Sequence, residues 1–195
     1  AIKGKVPFLN FFDGFRTSHE IQKVAIWDYD DLADMVDMAA VQAFRDHALN
    51  PEHPHNRGTH EDGDVFFQHR EACNTAYDEL PAVVEDYMNQ VNEKLGTNYH
   101  LFDYYGDPEA ENIVVCMGSF VDTLEEVIDY LNAHGEKVGL IKVRLYRPWS
   151  IKHFIAVLPE TVKKIAVLDR TKEPGSIGEP LYQDVVSALF EAGLE

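Results

Sequence analysis

The sequence predicts an α/β protein: a mostly parallel open sheet with flanking helices over residues 112–195, preceded by a mixed strand and long-helix segment from an incomplete α/β domain. Three observations carry that expectation. From Asn112 onward, short apolar runs alternate with amphipathic stretches in the order β-α-β-α-β-α with short connections, the pattern of parallel strands covered by helices on their faces. Before that point strand-like runs give way to long stretches with helical spacing. The charge shifts at the same place. Residues 1–111 hold 8 Lys and Arg against 22 Asp and Glu, whereas residues 112–195 hold 9 against 12. A break near residue 110 therefore divides the chain into 1–110 and 111–195, with the second segment expected to be truncated, because open sheets usually have about four to six strands.

The elements follow in order. KVPFLNFFD, Lys5 to Asp13, reads as a buried strand that stops at the Asp13-Gly14 turn. An apolar run so close to the opening AIKGK, with no initiator methionine, suggests a chain that starts inside a longer one. VAIW, Val24 to Trp27, reads as a second short extended run. From Asp28, one helix is expected, with Leu32, Met35, Val36, Ala39, Ala40 and Phe44 on one face. Asp28 or Asp30 suits its N-cap. Residues 50–64, NPEHPHNRGTHEDGD, contain two prolines, two glycines and no apolar residue, which makes a long loop. Helical spacing then runs from Val65 to Leu95, with Pro81 as the expected break and Gly96 as the stop. LFDYYGDPEAE reads as a linker. Beyond it, NIVVCMGS, KVGLIKVRLY and KKIAVLDR read as strands, and the stretches beginning DTLEEVIDYL, WSIKHFIAVL and EPLYQDVVSAL as helices.

Composition excludes several function classes. Of the 195 residues 45% are hydrophobic, an ordinary globular share, and no window approaches 18 consecutive apolar residues. No membrane partner is expected. A net charge of −17 argues against nucleic acid, which needs a basic footprint. The two cysteines, Cys73 and Cys116, lie far apart in helix-like and strand-like segments. They read as buried free thiols suited to a reducing cytoplasm.

Several clusters invite a chemical reading. CMGSFVDT places Gly118 and Ser119 between a strand and a helix, where backbone N–H groups can hold an anion. One glycine is not a dinucleotide or P-loop fingerprint, and a tight strand-to-helix turn needs a glycine anyway. DRTKEPGSIGEPLY carries Arg170, Lys172, Gly175, Ser176 and Gly178 at a strand's carboxyl end, where open α/β sheets bind ligands. It reads as an anion loop or as an ordered loop packed on another domain. His53, His55, His60 and His69 cluster, but no paired ligand spacing follows, and no C-x-x-C occurs. No metal site is expected. Ser18 and His19 are neighbours, so they point apart on an extended chain, and a cap formed by Thr17 or Ser18 suits the stretch better than a triad.

The stretches PFLNFFDGFRTSHEIQKV, NPEHPHNRGT, FFQHREACN, LFDYYGDPEAE, KVGLIKVRLYRPWS and AVLDRTKEPGSIGEPLY, in that order, resemble pyruvate:ferredoxin (flavodoxin) oxidoreductases nearly end to end. Members of that family are far longer. The resemblance implies that residues 1–110 are the C-terminal part of a pyrimidine-binding-like first domain with its connecting helices. It implies that 111–195 begin a second domain like the C-terminal domain of transketolases. It also implies a parent that decarboxylates pyruvate on thiamine diphosphate with Mg. Electrons would pass through [4Fe-4S] clusters to ferredoxin or flavodoxin, and acetyl would pass to coenzyme A, in a cytoplasmic homodimer.

None of the family's catalytic or cofactor motifs occurs in this sequence. The resemblance therefore implies no catalytic, cofactor-binding or metal residue here, and no activity for the chain alone. Its role would be structural, meeting the remaining domains of the parent. Arg16, Thr17, His19, Glu20, Arg57, Arg147, Arg170, Lys172 and Glu173 are the expected interdomain contacts. The rival expectation is a stand-alone acidic α/β module that binds coenzyme A or a nucleotide, with Gly118, Ser119, Arg170, Lys172 and Gly175 as its candidate residues.

Overall fold

Four strands form one sheet in the order β1-β3-β2-β4: β1 Phe102–Gly106, β2 Asn112–Cys116, β3 Val138–Val143 and β4 Lys164–Val167. The structure, a computed structural model, describes residues 1–56, 58 and 60–194, except for the side chain of Arg16. β2 pairs in parallel with both β3 and β4, with Val115 opposite Ile141 on one side and Val167 on the other. β1 adds an antiparallel edge on β3. The sheet is thus mostly parallel and open, as the alternating pattern predicts. β2 is central because both its faces are covered: Ile113, Val115 and Cys116 are all buried, and an unbroken apolar run is what such a strand requires.

The helices are α1 Arg16–His19, α2 Tyr29–Asp34, α3 Met38–Asp46, α4 Gly63–Ala72, α5 Asn74–Leu95, α6 Phe120–Ala133, α7 Ile151–Ala156 and α8 Pro180–Glu191. In α6, Leu124 and Ile128 lie one turn apart and meet Cys116 and Leu140 in one buried cluster. In α8, Leu181, Val185 and Ala188 recur at helical spacing and are fully buried. Phe154 of α7 stacks edge-on against Phe102 and tilts on Trp149. The β2-to-β3 and β3-to-β4 crossovers run in opposite directions along the sheet. Right-handed crossovers of that kind place α6 and α7 on opposite faces.

The chain divides into two compact units: residues 1–10 with 23–90, and residues 11–22 with 91–195. In the first unit Leu80 is buried so tightly against Gly4 that a Cβ there would fall 2.4 Å from its Cδ1. The Lys3 ammonium lies 3.9 Å from Asp37 and 3.7 Å from Asp86, above the Tyr87 ring.

The structure corrects the sequence reading at several places. Lys5–Asp13 and Val24–Trp27 are not strands. Among the described residues, the first unit holds only an isolated bridge between Asn50 and His53. An apolar run becomes a strand when a neighbour accepts its backbone bonds, and here none does, so Leu9 stays 83% exposed. The segment before residue 112 is thus mixed as expected, with the long helix α5 and one strand, β1, but its strand lies at Phe102–Gly106 rather than at either predicted run. The single helix expected from Asp28 is two helices. Asp28 caps α2 through the Asp31 N–H at 2.9 Å, and Asp37 caps α3 through the Ala40 N–H at 3.0 Å. The second cap restarts the helix after Met35. The long helix breaks at Cys73 rather than at Pro81, which is carried buried inside α5. LFDYYG is not a linker but strand β1, whose pairing to β3 is long-range and leaves no local signature. Cys116 is buried as expected, whereas Cys73 is exposed. No helix is long and apolar enough to cross a membrane among the described residues.

Candidate functional site

The carboxyl ends of the parallel strands meet where the chain reverses direction along the sheet. β2 leads through α6 to β3 on one side, and the chain then returns to place β4 on the other side of β2. That reversal point, between β2 and β4, is where open α/β sheets hold ligands. Gly118 and Ser119 follow β2 there, and Arg170 follows β4. The structure brings these sequence candidates together, and between them it places a residue that sequence reading had passed over as a turn former, Asp13.

Asp13 presents one carboxylate to three donors. The Ser119 N–H and hydroxyl donate to Oδ2 at 2.9 and 2.5 Å, and the Arg170 guanidinium donates to Oδ1. Gly118 makes the approach possible. Its φ is +85°, and a Cβ there would lie 3.0 Å from Asp13 Oδ2, so this position needs glycine for both conformation and space. The Ser119 hydroxyl and N–H, then Arg170, hold the Asp13 carboxyl below its ordinary value, against the opposing effect of desolvation. The Asp13 side chain is 15% exposed, that of Arg170 71%. The position at the head of α6 that could receive an anion thus already holds one, supplied by the chain itself.

Beside this contact a cavity of about 580 Å³ opens, lined among others by Thr17, Glu20, Ser119, Asp122, Glu125 and Lys142. Lys142 is paired with Glu125 at 2.6 Å, and Arg144 with the buried Asp103 at 2.5 Å. The cavity's two cations are therefore committed to carboxylates of the fold.

The remaining candidates disperse. Lys172 donates to Glu179 at 2.9 Å, and the Glu173 N–H donates to the same carboxylate at 3.0 Å, so the loop after β4 folds onto its own end. These donors, Lys172 first, lower the Glu179 carboxyl from its ordinary value. Gly175 has φ +82° with open space where a Cβ would stand. Arg147 pairs with Asp184 of α8 at 2.7 Å and stacks on Tyr146. Arg16 lies in α1 with its side chain outside the described residues, and Arg57 lies outside them altogether.

His19 Nδ1 sits 2.7 Å from the Phe15 carbonyl and 2.9 Å from Ser18 Oγ. A nitrogen that close to a carbonyl carries the proton, so it cannot also accept the Ser18 hydroxyl and act as its base. A Ser–His pair that sequence reading did not single out, Ser150 Oγ and His153 Nδ1 at 2.6 Å, opens α7; the S-x-x-H spacing across a helix start was the available signal. Among the described residues no three side chains of His, Cys, Asp or Glu converge as metal donors. His60 meets Asp62 and His69 meets Glu61 as separate exposed pairs. Burial pushes the Cys116 thiol up to about 11, which leaves it a poor nucleophile or ligand.

Comparison with known proteins adds the family. Residues 1–89 match the family model described as pyruvate flavodoxin/ferredoxin oxidoreductase, thiamine diP-bdg, and residues 110–194 match pyruvate:ferredoxin oxidoreductase core domain II. The pyruvate:ferredoxin oxidoreductase of Moorella thermoacetica is 58% identical over 193 residues, which is 99% of this chain and 16% of that protein. The pyruvate-flavodoxin oxidoreductase of Enterobacter agglomerans is 56% identical over 192 residues, again 16% of its length. The chain thus spans about a sixth of these relatives. Among solved structures, a 2-oxoglutarate:ferredoxin oxidoreductase from Magnetococcus marinus, with 2-oxoglutarate, coenzyme A and succinyl-CoA bound, aligns at TM-score 0.34 and 20% identity. That alignment covers 58% of this chain and 18% of that one.

Proposed function

The chain belongs to the family of pyruvate:ferredoxin and pyruvate:flavodoxin oxidoreductases, and on that premise we propose that it is a structural, interdomain segment of such an enzyme. Residues 1–110 belong in this reading to the first domain and its connecting helices, and 111–195 to a second domain. The parent oxidatively decarboxylates pyruvate to acetyl-CoA on thiamine diphosphate and Mg. It passes electrons through iron–sulfur clusters to ferredoxin or flavodoxin, and it works as a cytoplasmic homodimer. This chain supplies walls and contacts. Thr17, His19, Glu20, Arg147 and Glu173 are its candidate contacts to the rest of the parent.

The observation that carries the reading is Asp13 seated on Ser119 and Arg170, which fills the position where a fold of this class holds an anionic ligand. The donor set supports it. Among the described residues no three His, Cys, Asp or Glu side chains converge as donors for a metal ion. Of the two cysteines, one is buried in β2 and the other stands exposed behind α4, so they do not fit a cluster that wants four thiolates. No catalytic step is assigned to the residues of this chain.

The test is turnover. The 195-residue chain is incubated with pyruvate, coenzyme A, thiamine diphosphate, Mg and a dye acceptor. No acetyl-CoA is expected, and any sustained turnover above the chain-free control would overturn the proposal. The rival, an anion-binding module, is tested by titrating coenzyme A. Saturable binding that vanishes in the Arg170→Ala, Lys172→Ala double variant would favour it.

A further inference from the structure

We propose that Asp13 is a carboxylate lock that fastens residues 11–22 to the carboxyl edge of the sheet, and that this polar contact, rather than apolar packing, holds the segment in place. The segment, here called the strap, is rich in apolar residues that bury little. Phe11, Phe12, Phe15 and Ile21 are all exposed, Phe15 at 81%. The hydrophobic effect scales with apolar area removed from water, so these side chains contribute little to holding the strap down. Several of its polar contacts are internal: Ser18 and His19 bond to the Phe15 carbonyl, and Gln22 bonds to Glu20. Asp13 differs. Its partners lie 106 and 157 residues away in sequence, and they engage both carboxylate oxygens.

The chemistry suits a lock. A carboxylate that accepts a backbone N–H, a hydroxyl and a guanidinium makes charge-assisted bonds, roughly twice as strong as neutral ones. Gly118 keeps the approach open, and Ser119 at the head of α6 offers its N–H to negative charge. By sequence the strap lies within residues 1–89, matched by the first family model, yet it folds with 91–195, which holds the match to the second. The lock therefore ties one matched segment to the other. That consequence rests on the architectural reading proposed above.

Hydrogen exchange of the 195-residue chain tests it, in the wild type, in Asp13→Ala, and in a Ser119→Ala, Arg170→Gln double variant that removes donors and leaves the carboxylate. The expected result is faster exchange across residues 11–22 in both variants, on the order of tenfold or more, with β2 and β3 amides as protected as in the wild type. A second measurement fills the vacated cradle. Formate should raise the thermal midpoint of Asp13→Ala above its chloride control at equal ionic strength, and should leave the wild type unmoved. Unchanged exchange in the strap would overturn the lock. So would loss of protection in strap and sheet together, because the carboxylate would then be part of the fold's general stability. Exchange does not depend on turnover, so a chain that converted pyruvate by itself would end the architectural reading and leave the lock standing.

Discussion

Two apolar stretches of this chain meet opposite fates. KVPFLNFFD and NIVVC both read as buried strands, yet the first lies irregular with its phenylalanines in water while the second is the centre of the sheet. Composition does not separate them. Partners do: β2 has β3 on one side, β4 on the other, and helices over both faces, whereas Lys5–Asp13 finds no strand to pair with among the described residues. The comparison teaches that apolar content states a demand for burial, and that pairing decides whether the demand is met.

The sharpest way to break the comparison is a buried charge. Val115→Asp places an unpaired carboxylate at a fully buried position, which costs several kcal/mol. Unit 11–22 with 91–195 should lose its cooperative urea transition. Leu9→Asp should leave that transition where it was, and a comparable collapse would mean Leu9 is buried after all. The next test deletes the same ring from both regions. Phe154→Ala should destabilise by about 3–5 kcal/mol, while Phe12→Ala should stay within about 0.5 kcal/mol, both read from denaturant midpoints. Smaller again is Gly118→Ala, which strains a positive φ and crowds Asp13. A cost of about 1–3 kcal/mol is expected, and a neutral result would mean the loop relaxes away from the carboxylate.

Acid should act on the strap before it acts on the apolar core. Asp13 is depressed in the folded chain, so its contribution is present in full above the ordinary carboxylate value of about 4. It is lost as pH falls through the depressed folded value. Strap protection should hold at pH 5 and disappear only below about pH 4; release near neutrality would assign the control to another group. The gentlest test leaves stability alone. An alkylating reagent should modify Cys73 in the native chain and reach Cys116 only on unfolding, because the latter is buried with its thiol pushed up to about 11. Equal labelling rates would contradict the burial of β2.

Much of the second unit was legible because its signals are local. Leu124 and Ile128, or Leu181, Val185 and Ala188, recur at helical spacing, and Gly135, with φ +90°, follows the end of α6. Caps were partly legible: Asp28 was visible as one, but Asp37, which splits the expected helix, sits in a run of similar acids. β1 was missed because FDYYG acquires its identity from β3. At the candidate site, Gly118, Ser119 and Arg170 were visible as loop chemistry, and Asp13 was not, since an Asp-Gly pair reads first as a turn.

The sequence by itself determined the order of strands and helices from Asn112 onward, the net charge of −17, and the family to which the chain belongs. These reside in periodicity, composition and motif order, each carried by neighbours along the chain. Tertiary structure alone decided which apolar runs became strands, and which anion sits at the head of α6. Strand pairing joins residues 26 to 52 positions apart, and the Asp13 contacts reach 106 and 157 positions; a contact between distant residues leaves no periodic trace in either of the stretches that make it.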